Sequence, residues 1–224
     1  ILDVGCGSGK QCFSFYNATE GTATITGGDV SLDLLTQARK ANKKIGDKIE
    51  FLELNFNKRF PFEDNQFDLL SCCFAIYYSE VIPFTIREMH RVLKPGGRLF
   101  TSGPMPSNKK LFYDIISEAT GKVIPPMPGS SRYGFEILSF IQSTFSKVEV
   151  SVFENPLTFT EVEPFLDYTR ASLSEDRKLW GSFFQGKDNF DTTMQQIRAV
   201  AERRLKEEGK LVMTKVVGGF VATK

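Results

Sequence analysis

Three glycines at alternate positions, Gly5, Gly7 and Gly9, follow directly on the apolar opening Ile1-Leu2-Asp3-Val4. An apolar run that ends in alternate glycines reads as a short buried strand, a tight turn and the start of a helix. Glycine there permits positive φ and puts no Cβ between the backbone and a ligand. A second chemical group lies about twenty residues on, where Gly27-Gly28-Asp29-Val30-Ser31 closes an apolar stretch. An acid at that spacing meets ribose hydroxyls in βαβ folds, because a carboxylate accepts two hydrogen bonds from a cis-diol. The alternative is a strand-end Asp that caps the next helix, a task Ser31 already offers to perform. Further candidates are Tyr77, Tyr78 and Glu80. The single histidine, His90, lies in an apolar-periodic stretch ahead of Lys94-Pro95-Gly96-Gly97, which places it away from the ligand end of the next strand.

These groups need strands to carry them. Ala23 to Val30 and Ile49 to Asn55 read as strands two and three, and Ser31 opens a helix between them. Leu69 to Phe74 is a near-continuous apolar run, the composition of a central parallel strand buried on both faces. Arg98 to Gly103 reads as strand five, entered through the Pro95-Gly96-Gly97 turn. In open α/β sheets the ligand lies outside the carboxyl ends of such strands. The dinucleotide fingerprint G-x-G-x-x-G does not fit: counted from Gly5, its third glycine falls on Lys10. A dehydrogenase is disfavoured on that spacing.

Asp3 to Gly9 has the form (D/E)-x-G-x-G-x-G and resembles motif I of the class I S-adenosylmethionine-dependent methyltransferases. Pro61-Phe62-Glu63-Asp64-Asn65-Gln66-Phe67-Asp68 resembles the stretch before strand four in the small-molecule methyltransferases of the ubiquinone-biosynthesis type. Arg91-Val92-Leu93-Lys94-Pro95-Gly96-Gly97 is another hallmark of that family, with a structural role. The resemblance covers residues 1 to about 103. It implies a Rossmann-like seven-stranded mixed α/β sheet, the last strand antiparallel between strands five and six, with helices on both faces. It implies S-adenosylmethionine as cofactor, its methionine part wrapped by the glycine turn, with Asp3 near its amino group or orienting the turn. The cofactor-binding set it suggests is Asp3, Gly5, Cys6, Gly7, Gly9, Asp29, Val30, Asn55, Phe56 and Cys73. The family carries an Asp at the end of strand three for the adenine amino group. Here Asn55 stands there, able to accept from that donor, with Asn57 as competitor. Phe56 either covers the adenine or fills core. Class I methyltransferases carry one or two helices before the first strand, so N-terminal helices are expected ahead of Ile1.

The chain has 224 residues, 41% hydrophobic and 25% charged, the balance of a globular protein able to bury a core. A formal net charge of +1 without a basic run argues against nucleic acid as partner. No stretch approaches the ~20 apolar residues of a membrane span. Cys6, Cys12, Cys72 and Cys73 form no disulfide framework, so reduced thiols and a cytoplasmic location are expected. One histidine and no Cys/His cluster predict no metal site.

The second half matches the family in outline only. Asn108 to Thr120 and Gly134 to Thr144 read as helices, Lys147 to Phe153 as strand six, and Leu211 to Thr223 as strand seven, bent or bulged near Gly218-Gly219. Between those strands three helical stretches are expected, at about 160–171, 174–184 and 190–208. The domain assignment is a cofactor-binding domain of residues 1–153 plus 211–224. Residues 154–210 form a helical cap insertion beside the mouth of the active site. Its aromatics, Phe159, Phe165, Tyr168, Trp180, Phe183, Phe184 and Phe190, serve as its own core or in part contact substrate.

Methyl transfer from a sulfonium is an in-line displacement, in which the protein mainly aligns nucleophile, methyl and sulfur in a dry pocket. The family resemblance puts the loop after strand four beside the transferring methyl, so Tyr77 and Tyr78 are the catalytic candidates. The alternative is that they pack the following helix. The Asn-Pro-Pro-Tyr type sequence of nucleobase amino methylases is absent; Ser71-Cys72-Cys73-Phe74 stands in its place. The expected activity is methyl transfer from S-adenosylmethionine to a small, partly apolar molecule, with O, N or C as acceptor atom left open. The rivals are a protein or RNA methyltransferase, and a catalytically silent cofactor-binding regulatory or scaffold protein. The sequence carries no statement of oligomeric state.

Overall fold

The computed structural model describes residues 1–124, 128–175 and 187–224. In chain order the elements are β1 (Leu2–Val4), α1 (Lys10–Ala18), β2 (Thr26–Asp29), α2 (Leu32–Asn42), β3 (Glu50–Glu53), β4 (Phe67–Cys73), α3 (Ile82–Val92), β5 (Leu93–Pro104) and α4 (Lys110–Thr120). There follow α5 (Pro128–Ser131), a π-helical segment (Arg132–Ile137), α6 (Leu138–Thr144), β6 (Lys147–Phe159), α7 (Val162–Glu175), α8 (Lys187–Glu208) and β7 (Leu211–Thr223). The stretch at about 174–184, with Trp180, Phe183 and Phe184, lies almost wholly outside the described residues.

The seven strands form one sheet in the order β3-β2-β1-β4-β5-β7-β6. β3, β2, β1, β4 and β5 pair in parallel, and β7 runs antiparallel to β5. Strand order reverses between β1 and β4, and that is where an open α/β sheet leaves a crevice at its carboxyl edge. The two faces of β1 show how the sheet is clothed. Leu2 and Val4, two apart and hence on one face, are fully buried in a cluster with Ile82, Ile86 and Met89 of α3. Asp3 points to the other face, where Cys12 of α1 donates to it at 3.4 Å. On that side α1 and α2 bury Cys12, Leu35 and Ala38 against Ile25, Ile49 and Phe51.

The chain divides into two compact units: Ile1–Pro106, Met127–Phe153 and Val217–Lys224 form the first, Ser107–Pro126 and Glu154–Val216 the second. The second has its own core, in which Phe112, Ile115 and Ile116 of α4 join Phe165 and Leu166 of α7, Ile197 and Ala201 of α8, and Leu211 and Met213 of β7. Phe159, Tyr168 and Phe190 pack partly buried against it, so these aromatics serve that core.

Three local readings change. The Lys94–Gly97 turn lies inside β5 rather than ahead of it. Phe67 pairs with Leu93 and Leu69 with Arg98, so the four residues bulge out of the ladder, with Gly96 at φ 76°. β7 has no bulge where it pairs with β5: its register is unbroken from Arg98↔Thr223 to Pro104↔Val217. Gly218 serves a close approach instead, since a Cβ there would stand 2.4 Å from the Met105 sulfur. β6 runs on past Phe153 to Phe159, through Pro156, which an edge strand tolerates because the N–H that proline lacks is not needed on the strand's open side.

Two polar clasps fix the stretch between β3 and β4. Arg91 of α3 donates to the carbonyls of Phe60 and Phe62, to Asp64 and to both oxygens of Glu88. Glu88 in turn accepts the Phe60 N–H at 2.9 Å. The Lys224 ammonium donates to the carbonyls of His90 (2.8 Å) and Leu93 (2.7 Å), satisfying the carboxyl end of α3. His90 itself packs edge-on against Phe145, and burial pushes its pKa down.

Candidate functional site

The glycine turn leaves β1 and is anchored at once on β2. The N–H groups of Gly5 and Cys6 both donate to the Gly28 carbonyl, at 2.8 and 3.0 Å. Gly5 has φ 74°, and a Cβ on it would meet the Ala75 Cβ at 2.6 Å. Only glycine meets both conditions. Gly7, also at positive φ, turns its N–H toward Asp29 Oδ2, 2.7 Å away. Asp29 Oδ1 accepts the Ser31 N–H at 2.8 Å, and Ser31 Oγ accepts the Leu34 N–H at 3.4 Å as the N-cap of α2. One carboxylate thus ties the turn after β1 to the first residues after β2. Each of its oxygens keeps a second acceptor site for a ligand.

These residues border a cavity of about 540 Å³. It is lined by Gly5, Gly7, Asp29, Val30 and Leu34 on one side, and by Leu54, Asn55, Phe56 and Asn57 after β3. Phe74, Ala75, Tyr78 and Glu80 after β4 complete it. The two loops are stitched together: Asn55 Oδ1 accepts the Asn57 N–H, and Asn57 Oδ1 accepts the Glu80 N–H, each at 2.9 Å. Beneath them the buried Thr85 hydroxyl donates to the Phe56 carbonyl at 2.9 Å and bonds Ser79 at 2.8 Å. The apolar lining is open to a ligand: Val30 is 61%, Phe74 50% and Tyr78 71% exposed. Asp29 and Glu80 are its only charged lining residues, and no Lys, Arg or His lines it among the described residues. A pyrophosphate would find no counter-charge here, whereas a ligand with cationic centres finds two carboxylates.

Of the residues singled out in the sequence, Gly5, Gly7, Asp29, Val30, Asn55, Phe56, Asn57, Tyr78 and Glu80 line this cavity. Asp3, Cys6, Gly9, Cys73 and Tyr77 are not among its lining. Asp3 is buried, taking the Ser71 hydroxyl at 2.5 Å and the Cys12 thiol, and burial pushes its pKa up. It binds β1 to β4 and α1. Gly9 is the left-handed N-cap of α1. Cys6 is buried beneath the turn, and Cys73 is half-buried opposite Ser102 of β5. The Tyr77 ring lies 4.7 Å from that of Tyr78, and its carbonyl accepts from Arg132 at 2.8 Å. Burial pushes the pKa of its phenol up. Sequence reasoning missed Leu34, Leu54, Phe74 and Ala75. Phe74 carries a signal in its backbone, φ 53°, rare for a bulky non-glycine residue and concentrated at functional sites.

Residues 1–97 match the family model described as a methyltransferase domain. The chain is 35% identical over 153 residues to the demethylmenaquinone methyltransferase of Chlorobaculum tepidum, covering 66% of this chain and 60% of that protein. It is 37% identical over 123 residues to the ubiquinone/menaquinone biosynthesis C-methyltransferase UbiE of Bartonella henselae, covering 52% of this chain and 46% of the relative. The chain therefore spans roughly half to three-fifths of these relatives' length. The YcgJ protein of Bacillus subtilis has the same fold, with a TM-score of 0.63 at 15% identity, covering 100% of this chain and 90% of that one. A putative methyltransferase of Bacillus halodurans superposes with a TM-score of 0.61 at 18% identity, covering 100% and 91%. Residues 1–97 thus form a methyltransferase domain, and in its glycine turn, strand order and relatives the chain is similar to the S-adenosylmethionine-dependent methyltransferases of the ubiquinone-biosynthesis type.

Proposed function

We propose that this protein transfers the methyl group of S-adenosylmethionine to a small, partly apolar acceptor. The observation that carries this reading is the cavity at the sheet's switch point, with its glycine cradle, the Asp29 carboxylate at its edge and no cationic lining among the described residues. The residues present fit the cofactor. Gly5 and Gly7 give its methionine part access to backbone, the Asp29 carboxylate takes the ribose diol, and Val30, Leu34, Leu54 and Phe56 supply an apolar wall for adenine. The Asn55 side chain meets the polar edge of the base. When bound, the cofactor supplies an already activated methyl group. The protein's own work is then alignment and exclusion of water. Phe74 and Tyr78 are the rings that screen the reacting end, and Tyr77, packed against Tyr78, supports that ring. His90, packed on Phe145, takes no part.

The named relatives are C-methyltransferases of quinone biosynthesis and a demethylmenaquinone methyltransferase, so a demethylated quinol is the first acceptor to try. The four cysteines are unpaired, which fits a reducing compartment such as the cytoplasm. Among the described residues no helix is long and apolar enough to cross a membrane. The test is transfer of label from methyl-labelled S-adenosylmethionine to a panel of quinols, phenols and amines. Label in one of them supports the proposal. Cofactor binding without transfer to any, in the presence of a working relative as control, would favour the silent regulatory reading.

A further inference from the structure

A pair of lysines in the second unit converges on one aromatic ring. The Lys109 ammonium lies 5.2 Å from the centre of the Tyr168 ring, and that of Lys215 lies 5.5 Å from the same centre. Lys109 also reaches the Phe112 ring at 6.0 Å. The backbone enforces this meeting. The Lys109 N–H donates to the Thr214 carbonyl at 2.9 Å, and Asn108 Oδ1 accepts the Val216 N–H at 2.9 Å. The start of α4 is thereby stitched to β7 on both sides of Lys215.

Ring faces attract cations, and two ammonium groups share this one ring. Lys94, Lys110 and Lys147 each sit on a carboxylate. Lys109 and Lys215 have no such partner among the described residues, and both are half-buried. The amino end of the eleven-residue α4 opens at Lys109, with no acidic residue in its first turn and no side-chain cap. The partial positive charge of a helix start therefore adds to the two ammonium groups. We infer that Lys109, Lys215 and the Tyr168 ring form a binding site for an oxyanion, a phosphate or a carboxylate, with the half-buried Tyr168 ring packing against whatever apolar body carries it. Lysine binds phosphate as a point charge, and the site shares no residue with the cavity at the glycine turn.

The inference does not depend on methyl transfer, and binding alone tests it. The whole chain is titrated with inorganic phosphate and, separately, with benzoate, at low ionic strength because exposed charges are screened by salt. Calorimetry reads both arms. Saturable binding of either anion is expected, and which of the two binds identifies the source. Lys109→Gln and Lys215→Gln should each weaken it by roughly tenfold, one lost charge-assisted contact. Lys110→Gln removes the same charge one residue away, from a lysine already held by Asp114, and should leave affinity within about twofold. Failure of the folded protein to bind either anion would overturn the site. So would an equal loss in Lys110→Gln, which would reduce the effect to diffuse surface charge.

Discussion

Asp29 is the residue on which the cofactor site turns, and its removal separates two tasks. In the structure its two oxygens accept Gly7 N–H at 2.7 Å and Ser31 N–H at 2.8 Å. Both bonds are charge-assisted and half-buried, so Asp29→Ala should cost on the order of 1–3 kcal/mol of stability, with water replacing part of each. If the same carboxylate also takes the ribose diol, affinity for S-adenosylhomocysteine should fall by a further ~1–3 kcal/mol, roughly 5- to 150-fold. A double cycle tells the direct contact from a loosened turn. Wild type and Asp29→Ala are each titrated by calorimetry with S-adenosylhomocysteine and with its 2′-deoxy analogue. Wild type should bind the deoxy ligand more weakly, and Asp29→Ala should no longer distinguish the two. Equal loss of the hydroxyl's contribution in both proteins, which is additivity, would refute the diol contact and leave Asp29 as a brace for the turn.

Other consequences follow from single groups. Gly5→Ala should lower stability by roughly 1–3 kcal/mol, from its positive φ and the Ala75 contact, in a denaturant melt; an unchanged midpoint would mean the turn can relax. Arg91→Ala should cost about 3–5 kcal/mol, because it strands the buried Glu88 carboxylate. The Arg91 guanidinium holds the Glu88 carboxyl below its usual range. The stabilisation it gives is thus present above the ordinary Glu pKa and is lost as pH falls through the lower, folded value. Arg91→Ala should flatten that acid limb, and an acid limb as steep as wild type would place the effect elsewhere. Tyr133→Phe should leave stability unchanged or raise it, since the buried Tyr133 hydroxyl has no well-formed hydrogen bond among the described residues; a loss above about 1 kcal/mol would show that it is bonded, with Thr101 the neighbour at hand. Tyr78→Phe and Tyr77→Phe should reduce turnover more than S-adenosylhomocysteine affinity, and equal loss of both would indicate disturbed packing.

What the sequence disclosed depended on how singular each residue's physical requirement is. The turn at Gly5, Gly7 and Gly9 was legible because positive φ at alternate positions is a demand few residues other than glycine meet. The central strands were legible because a strand buried on both faces has to be apolar throughout, as Leu69 to Phe74 nearly is. Gly218 misled because glycine has two uses: its φ is ordinary, and it is there to admit Met105. The extension of β6 past Phe153 was hidden by Glu154-Asn155-Pro156, a turn signal that an edge strand overrides. In the cavity, polar Asp29 and Asn55 announced themselves, whereas Leu34 and Leu54 look like any core leucine. Asp3 and Cys73 lie close to the motif in sequence, yet Asp3 turns to the α1 face and Cys73 toward β5.

The central claim is that the cavity holds S-adenosylmethionine rather than a phosphate-bearing cofactor. Calorimetric titration of the protein with S-adenosylhomocysteine, and with NAD as control, tests it most directly. Micromolar binding of the first and none of the second is expected from a lining with two carboxylates and, among the described residues, no cation. Binding of NAD, or binding of neither by protein shown to be folded, would contradict it.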